Sequence, residues 1–221
     1  MTLKSKYQSE FEIGVDEAGR GPLFGRVYSS AVMIDDTFDI TRVKDSKKFT
    51  SKKRLMEAYT YVLEHSVAWG VASIDEKCID THNIRQATFM TMHKAIRHLL
   101  SKITYKNNIT LLIDGDGFRP FLYLNDSQYS NIPHICIKGG DSLYASIAAA
   151  SIIAKVQRDQ YIENLCLKYP LLDEYYGLSK NKGYGTKQHM EGIKKYGITG
   201  FHRISFAPCK DKEKIDLQII H

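Results

Sequence analysis

The sequence predicts an α/β protein built on a mixed sheet, and three observations predict it. Apolar, β-branched runs at 10–16, 27–34 and 67–73 lie close together in the first third of the chain. Beyond residue 83, strand-like runs alternate with segments of helical periodicity, the pattern of an α/β sheet. The stretch 142–169 is rich in Ala and Ser, and Ala145, Ala148, Ala149 and Ala150 would let a helix lie close on that sheet.

Taken in order, 10–16 reads as a strand that stops at AGRGP, a turn by composition. Residues 27–34 form the second strand. Residues 44–54 are densely basic, and a helix follows over 51–65 with Thr50 or Ser51 as its cap. The third strand is 67–73. The strongest helical signal runs over 83–102, where Ile84, Met92, Ala95, Ile96, Leu99 and Ile103 fall along one side. A continuous apolar run at 109–114 ends in a carboxylate, as a buried strand would. Residues 132–138 give another strand. The helix over 142–169 ends at Pro170, and a short one over 186–196 ends at Gly197. The segment after Pro170 reads as a helical annex, dividing the chain into 1–170 and 171–221, with a charged, weakly ordered tail past Pro208.

The composition narrows the class. With 221 residues and 43 % hydrophobic residues the chain can bury a core unaided, which excludes a disordered or fibrous protein. No run approaches the ~20 apolar residues of a membrane span, and Met1 to Glu10 lacks the apolar core of a signal peptide. Cys78, Cys136, Cys166 and Cys209 are scattered, without a CxxC pair. They read as free thiols in a reducing compartment, the cytoplasm, and exclude a disulfide framework or a thiolate zinc site. Cys136 reads as a small core residue. A net charge of +6 points weakly to a polyanionic partner.

The carboxylates carry more. Asp16 and Glu17 close the first strand, Asp114 closes 109–114, and Asp141 follows a strand through Gly139 and Gly140. Open α/β sheets bind ligands beyond the carboxyl ends of their strands. Side by side, these strands would bring four acids together. Four ionised carboxylates repel one another, and hard divalent cations such as Mg²⁺ or Mn²⁺ relieve that repulsion. Two such ions can activate a water and stabilise the leaving oxygen of a phosphodiester. Each acid also has a plainer reading. Asp141 taken alone is better explained as a helix N-cap, Asp114 before Gly115 as a turn residue, and Asp16–Glu17 as a solvated corner. Asp116 is a spare carboxylate in the same loop.

Asp16 to Pro22 reads DEAGRGP, where Gly19 and Gly21 let the backbone approach a ligand and Arg20 can meet phosphate. With this loop the match becomes specific. IGVDEAGRGPLFG resembles the signature of type 2 ribonuclease H, the ribonuclease HII family. KDSKKF (44–49), NIRQAT (83–88), LLIDG (111–115), KGGDSLYASIAAASIIAKVQRD (138–159), NKGYGTKQH (181–189) and HRISF (202–206) resemble further blocks of that family in the same order.

The resemblance implies a ribonuclease H-like fold: a five-stranded mixed sheet flanked by helices, with a C-terminal helical extension. It implies a metal-dependent endonuclease using two Mg²⁺ or Mn²⁺ ions. Such an enzyme hydrolyses the RNA of RNA–DNA hybrids and incises 5′ of single ribonucleotides in duplex DNA, leaving 3′-hydroxyl and 5′-phosphate ends. The family's four catalytic, metal-binding acids map to Asp16, Glu17, Asp114 and Asp141. Its 2′-hydroxyl-reading triplet maps to Gly19, Arg20 and Gly21, and its junction-sensing tyrosine to Tyr184. Lys47 and Lys48 are the expected backbone contacts, with Lys182 and Lys187 as a second phosphate grip. His189 and His202 receive no chemistry.

Arg26 stands where the family generally has proline, and Phe49 where leucine is common. Three features favour type 2 over ribonuclease HIII: a GRG triplet, Asp141 as the fourth acid, and a short segment before the first strand. A junction resolvase would not need the 2′-hydroxyl reader, and a non-catalytic binding module would be expected to have lost an acid. The protein is expected to be monomeric. The tail DLQIIH lacks an aromatic pair, so no contact with a sliding clamp is expected.

Overall fold

The computed structural model describes residues 3–104, 108–125 and 128–217. Gln218 to His221, the end of the tail on which the sliding-clamp expectation rests, lie outside the described residues. In chain order the strands are β1 (Phe11–Ala18), β2 (Val27–Met33), β3 (Ala68–Ile74), β4 (Ile109–Asp114), β5 (Phe121–Asn125), β6 (Gln128–Ile132) and β7 (His134–Ile137). The α-helices are α1 (Lys52–His65), α2 (Glu76–His82), α3 (Ile84–Leu100), α4 (Ala145–Lys168), α5 (Leu171–Tyr176), α6 (Leu178–Asn181) and α7 (Lys187–Tyr196).

The chain divides into two compact units. The first comprises residues 1–18, 28–73 and 89–156, the second 19–27, 74–88 and 157–221. In the first unit a five-stranded sheet has the order β3-β2-β1-β4-β7, with β1 antiparallel to β2 and parallel to β4, and β4 parallel to β7. This is the mixed sheet that was expected.

Strand alternation decides which residues face which helix. Ile13, Val15, Leu111 and Ile113 point to one side and pack with Met92, Ala95, Ile96 and Leu99 of α3. On the other side α1 supplies Ala58, Tyr59 and Val62, and α4 supplies Ala145, Ala148, Ala149 and Ile152. The small residues of α4 bring its backbone so near β1 that a Cβ on Gly14 would lie 2.2 Å from the carbonyl carbon of Ser146. Gly14 is therefore what allows α4 to sit down on the sheet. Phe49 is partly buried against the α1–α4 cluster, so its replacement of the commoner leucine keeps the site apolar.

Two expectations are corrected here. The long helix starts at Ala145, not at 142, and Asp141 lies in a preceding 3₁₀ turn, Gly140–Ser142, entered through Gly139 in the left-handed conformation. Asp141 is therefore not a cap of α4. The strand expected over 132–138 is interrupted: Ile132 ends β6, and Pro133, which has no N–H to give a ladder, precedes β7. The antiparallel hairpin β5–β6 and the helix α2, capped by Asp75, were not foreseen.

The second unit has its own core, in which Leu23, Phe24, Ile162, Leu172, Tyr176, Leu178 and Ile193 pack together. Among the described residues no helix is long and apolar enough to cross a membrane.

Candidate active site

The register of the sheet places the acids. Ile13 pairs with Leu111 and Gly14 with Leu112, so Asp16 and Asp114, each two residues farther on, project from the same face toward α4. Asp141 arrives from the turn before α4. One ligand oxygen from each of Asp16, Asp114 and Asp141 lies within 4.8 Å of the others. Asp16 and Asp141 are buried, while Asp114 is half-buried.

Local bonds orient the carboxylates. Asp16 Oδ1 accepts from the Glu17 N–H at 2.6 Å, and Asp114 Oδ1 accepts from the Gly140 N–H at 2.7 Å. The second bond ties the end of β4 to the turn that carries Asp141. Glu17 is half-buried and adjoins the trio through its charge. It is not among the residues whose ligand oxygens converge. Asp116 is exposed and outside the trio, so the spare carboxylate is set aside.

The electrostatics are those of a site short of positive charge. Burial, then the charges of Glu17, Asp114 and Asp141, hold the Asp16 carboxyl well above the usual carboxylate range, against the Glu17 N–H bond that lowers it. Asp141 is raised as well, first by burial and then by Asp114 and Asp45, while Lys47 pulls it down. The Lys47 ammonium lies 3.5 Å from Asp141 Oδ2. Burial works against that charge, but Asp141, Asp16 and Asp45 outweigh it and hold Lys47 above its ordinary value. Lys48 donates to Ser142 Oγ at 2.7 Å. A single lysine cannot neutralise three aspartates. Oxygen-only donors, within reach of a common centre and unfavourable when all are ionised, fit a hard divalent cation. Among the described residues no histidine or cysteine joins them.

In the second unit, Gly19 is buried, Arg20 and Gly21 are exposed, and Tyr184 is half exposed. A Cβ on Gly21 would lie 3.4 Å from the Tyr184 ring, so triplet and tyrosine are neighbours. Gly19 adopts a φ of 96°, and a Cβ there would overlap the Arg158 side chain. Two buried arginines that the sequence reading left without a role organise this loop. Arg158 donates to the carbonyls of Phe24, Arg26 and Lys182. Arg203 donates to those of Gly19, Arg20, Pro22 and Gly25. The only sequence signal for them was position: Arg158 in the long helical block and Arg203 in HRISF.

Other residues settle differently from expectation. Lys182, expected in a second phosphate grip, has its ammonium on Glu163 at 2.9 Å and on the Ser179 carbonyl. Lys187 is exposed and lies 3.9 Å from Glu191. Arg26, the departure from proline, is exposed and stacks over Tyr161 at 5.2 Å. His189 and His202 form a buried relay. The Thr199 N–H donates to His202 Nδ1, so His202 carries its proton on Nε2 and donates to His189 Nε2 at 3.1 Å. His189 in turn donates from Nδ1 to the Tyr184 carbonyl at 3.0 Å. Burial and the neighbouring His189 press His202 down to about 3, so the relay is neutral at physiological pH.

The ribonuclease HII family model matches residues 13–209. The chain belongs to the ribonuclease HII family. Ribonuclease HII of Parabacteroides distasonis is 40 % identical over 207 residues, covering 94 % of this chain and 95 % of its own. That of Caldicellulosiruptor bescii is 46 % identical over 197 residues, covering 89 % and 86 %. Among solved structures, the ribonuclease H2 of Pyrococcus horikoshii superposes with a TM-score of 0.68 at 25 % identity, covering 90 % and 95 % of the two chains. The RNase HII of Archaeoglobus fulgidus, solved in a complex with PCNA, gives 0.65 at 21 % identity over 88 % and 94 %. Bst-RNase HIII, solved with Mn²⁺, gives 0.66 at 20 % identity over 91 % and 68 %, and like the previous structure shows the shared fold. As a member of the ribonuclease HII family the chain is a ribonuclease H, a metal-dependent endonuclease acting on RNA–DNA hybrids.

Proposed function

We propose that this member of the family also incises duplex DNA 5′ of a single embedded ribonucleotide, which would make it an excision enzyme for ribonucleotides left in DNA by replication. The observation that carries the chemistry is the convergence of Asp16, Asp114 and Asp141 within 4.8 Å of one another. These three, with Glu17 completing the set, would hold two divalent ions, Mg²⁺ or Mn²⁺. Bound there, such ions would supply the Lewis acidity needed to activate a water and steady the departing 3′ oxygen, a reaction that would leave 3′-hydroxyl and 5′-phosphate ends.

The remaining steps fall to the protein. The Glu17 and Gly140 N–H groups fix the rotamers of Asp16 and Asp114. Lys47 and Lys48 take phosphates of the nucleic-acid backbone. Gly19, Arg20 and Gly21 bind the 2′-hydroxyl, the group that separates RNA from DNA. Tyr184 packs on the following deoxyribose, where a second 2′-hydroxyl would crowd it. In this reading 1–170 carries the hydrolytic machinery and 171–221 is an extension that contributes the tyrosine. In this reading the enzyme acts in the cytoplasm as a monomer.

The test is cleavage, with Mg²⁺ or Mn²⁺, of three substrates: a DNA duplex holding one ribonucleotide, the all-DNA duplex and an RNA–DNA hybrid. The expected result is a single cut 5′ of the ribonucleotide, cutting of the hybrid, and an intact all-DNA control. Cleavage of the hybrid alone would replace this reading with hybrid-only specificity.

A further inference from the structure

Arg203 heads the fully buried side chains by size, which is a costly place for a permanent cation. Burial, then the charge of Arg158, bring its pKa down to about 9, so it remains charged at neutral pH. Its charge is met by carbonyl dipoles from one short loop. Nε donates to Gly25 O at 2.9 Å, Nη1 to Pro22 O at 2.8 Å and Arg20 O at 3.1 Å, and Nη2 to Gly19 O and Gly25 O at 2.7 Å each. The Arg203 backbone N–H adds a bond to Leu23 O at 2.9 Å. The loop so gathered is the one that carries the GRG triplet.

The direction of these bonds has a chemical consequence. A trans peptide points its C=O and the following N–H to opposite sides, and the described chain has no cis peptide. Carbonyls of Gly19 and Arg20 turned inward onto Arg203 turn the N–H groups of Arg20 and Gly21 outward. The same relation is visible farther along the loop. Pro22 O faces Arg203, and the Leu23 N–H on the other side of that peptide donates to Gly183 O at 2.8 Å, next to Tyr184.

We propose that Arg203 is a positioning residue for ribose recognition, which aims the Arg20 and Gly21 N–H groups at the 2′-hydroxyl oxygen by holding the carbonyls behind them. The inference rests on the reading above that the triplet meets that hydroxyl. Arg203 touches no substrate itself. Its rigid fork of donors is what the arrangement requires, because three donors on one ammonium cannot span the same carbonyls.

The test compares Kd for the single-ribonucleotide duplex and for the all-DNA duplex, measured with Ca²⁺ as the oxygen-seeking cation, for the wild type and Arg203→Lys. The expected result is that the preference for the ribonucleotide falls about tenfold, the worth of a pair of neutral hydrogen bonds, while the all-DNA Kd is unchanged. An undiminished preference in a cooperatively folding variant, or equal weakening on both duplexes, would overturn the proposal. If the wild type itself shows no preference, the reading of the triplet has failed, and the role of Arg203 falls with it. Should Arg203→Lys not fold, amide exchange in the wild type decides. The Arg20 and Gly21 amides must gain protection with the ribonucleotide duplex beyond that with all-DNA, and no added protection would refute the inference.

Discussion

At the residue scale, Asp16 shows how a site can be costly to the fold that holds it. Its carboxyl is buried beside three other acids, so the metal-free folded state takes up a proton more readily than the unfolded chain does. The sign follows from linkage: between the ordinary Asp value and the raised folded one, stability falls as pH rises. Asp16→Asn removes the charge and keeps an oxygen to accept the Glu17 N–H. In metal-free protein at pH 7 the variant should be more stable by about 1–3 kcal/mol, the cost of an uncompensated buried charge, with the gain shrinking as pH falls toward 4. It should be nearly inactive, and Mg²⁺ should raise the melting temperature of the wild type but not that of the variant. Calorimetry with Mg²⁺ and with EDTA, beside a cleavage assay, checks all three. A variant less stable than wild type at pH 7 would show that the cluster is not strained.

The residues at this scale were unevenly legible. Carboxylates at strand ends stand out because acids are rare beside apolar runs. Arg203 and Arg158 did not, because a buried arginine satisfied by backbone carbonyls has no partner residue in the sequence to betray it. The ion pair of Lys182 was hidden for a related reason, since its glutamate lies 19 positions upstream in α4.

At the element scale, the geometry of the acid cluster depends on how closely α4 lies on β1. Gly14 is two residues before Asp16, and the turn holding Asp141 leads into α4, so one contact sets the spacing of both acids. Gly14→Ala would put a Cβ 2.3 Å from the Ile147 nitrogen and closer still to Ser146, atoms of helix backbone that cannot rotate away. The expected cost is about 1–3 kcal/mol of overpacking, read as a drop of some degrees in melting temperature. A parallel loss of cleavage should follow as Asp141 is displaced from Asp16. An unchanged melting temperature would mean that α4 yields at no cost. The principal strands and helices of the first unit were legible because period and apolarity agreed there. The β5–β6 hairpin was not: Leu122 and Leu124 lie on its exposed side, so alternation did not mark a buried face. The start of α4 was missed because Asp-Ser imitates a cap, whereas the chain spends those residues on a 3₁₀ turn.

At the scale of the whole molecule, a net charge of +6 is modest for a protein that must hold a polyanion against four acids. The positive charge therefore has to be local. Lys47, whose side chain is 77 % exposed, lies 3.5 Å from Asp141 Oδ2. In the proposed reading, ions held by the acids would weaken the pull of that carboxylate and leave the ammonium available to phosphate. Each phosphate neutralised lowers log K by about 0.9 per decade of salt for a DNA duplex. Titrating hybrid affinity against salt in Ca²⁺ should therefore give Lys47→Ala and Lys48→Ala slopes shallower than wild type by about one contact each. Lys182→Ala should instead leave the slope unchanged and lower the melting temperature, because its ammonium is committed to Glu163 and to the Ser179 carbonyl. A Lys47→Ala slope equal to that of wild type would make Lys47 a counter-charge for the acid cluster alone. The phosphate contacts would then have to be sought among Lys44, Lys52, Lys53 and Arg54.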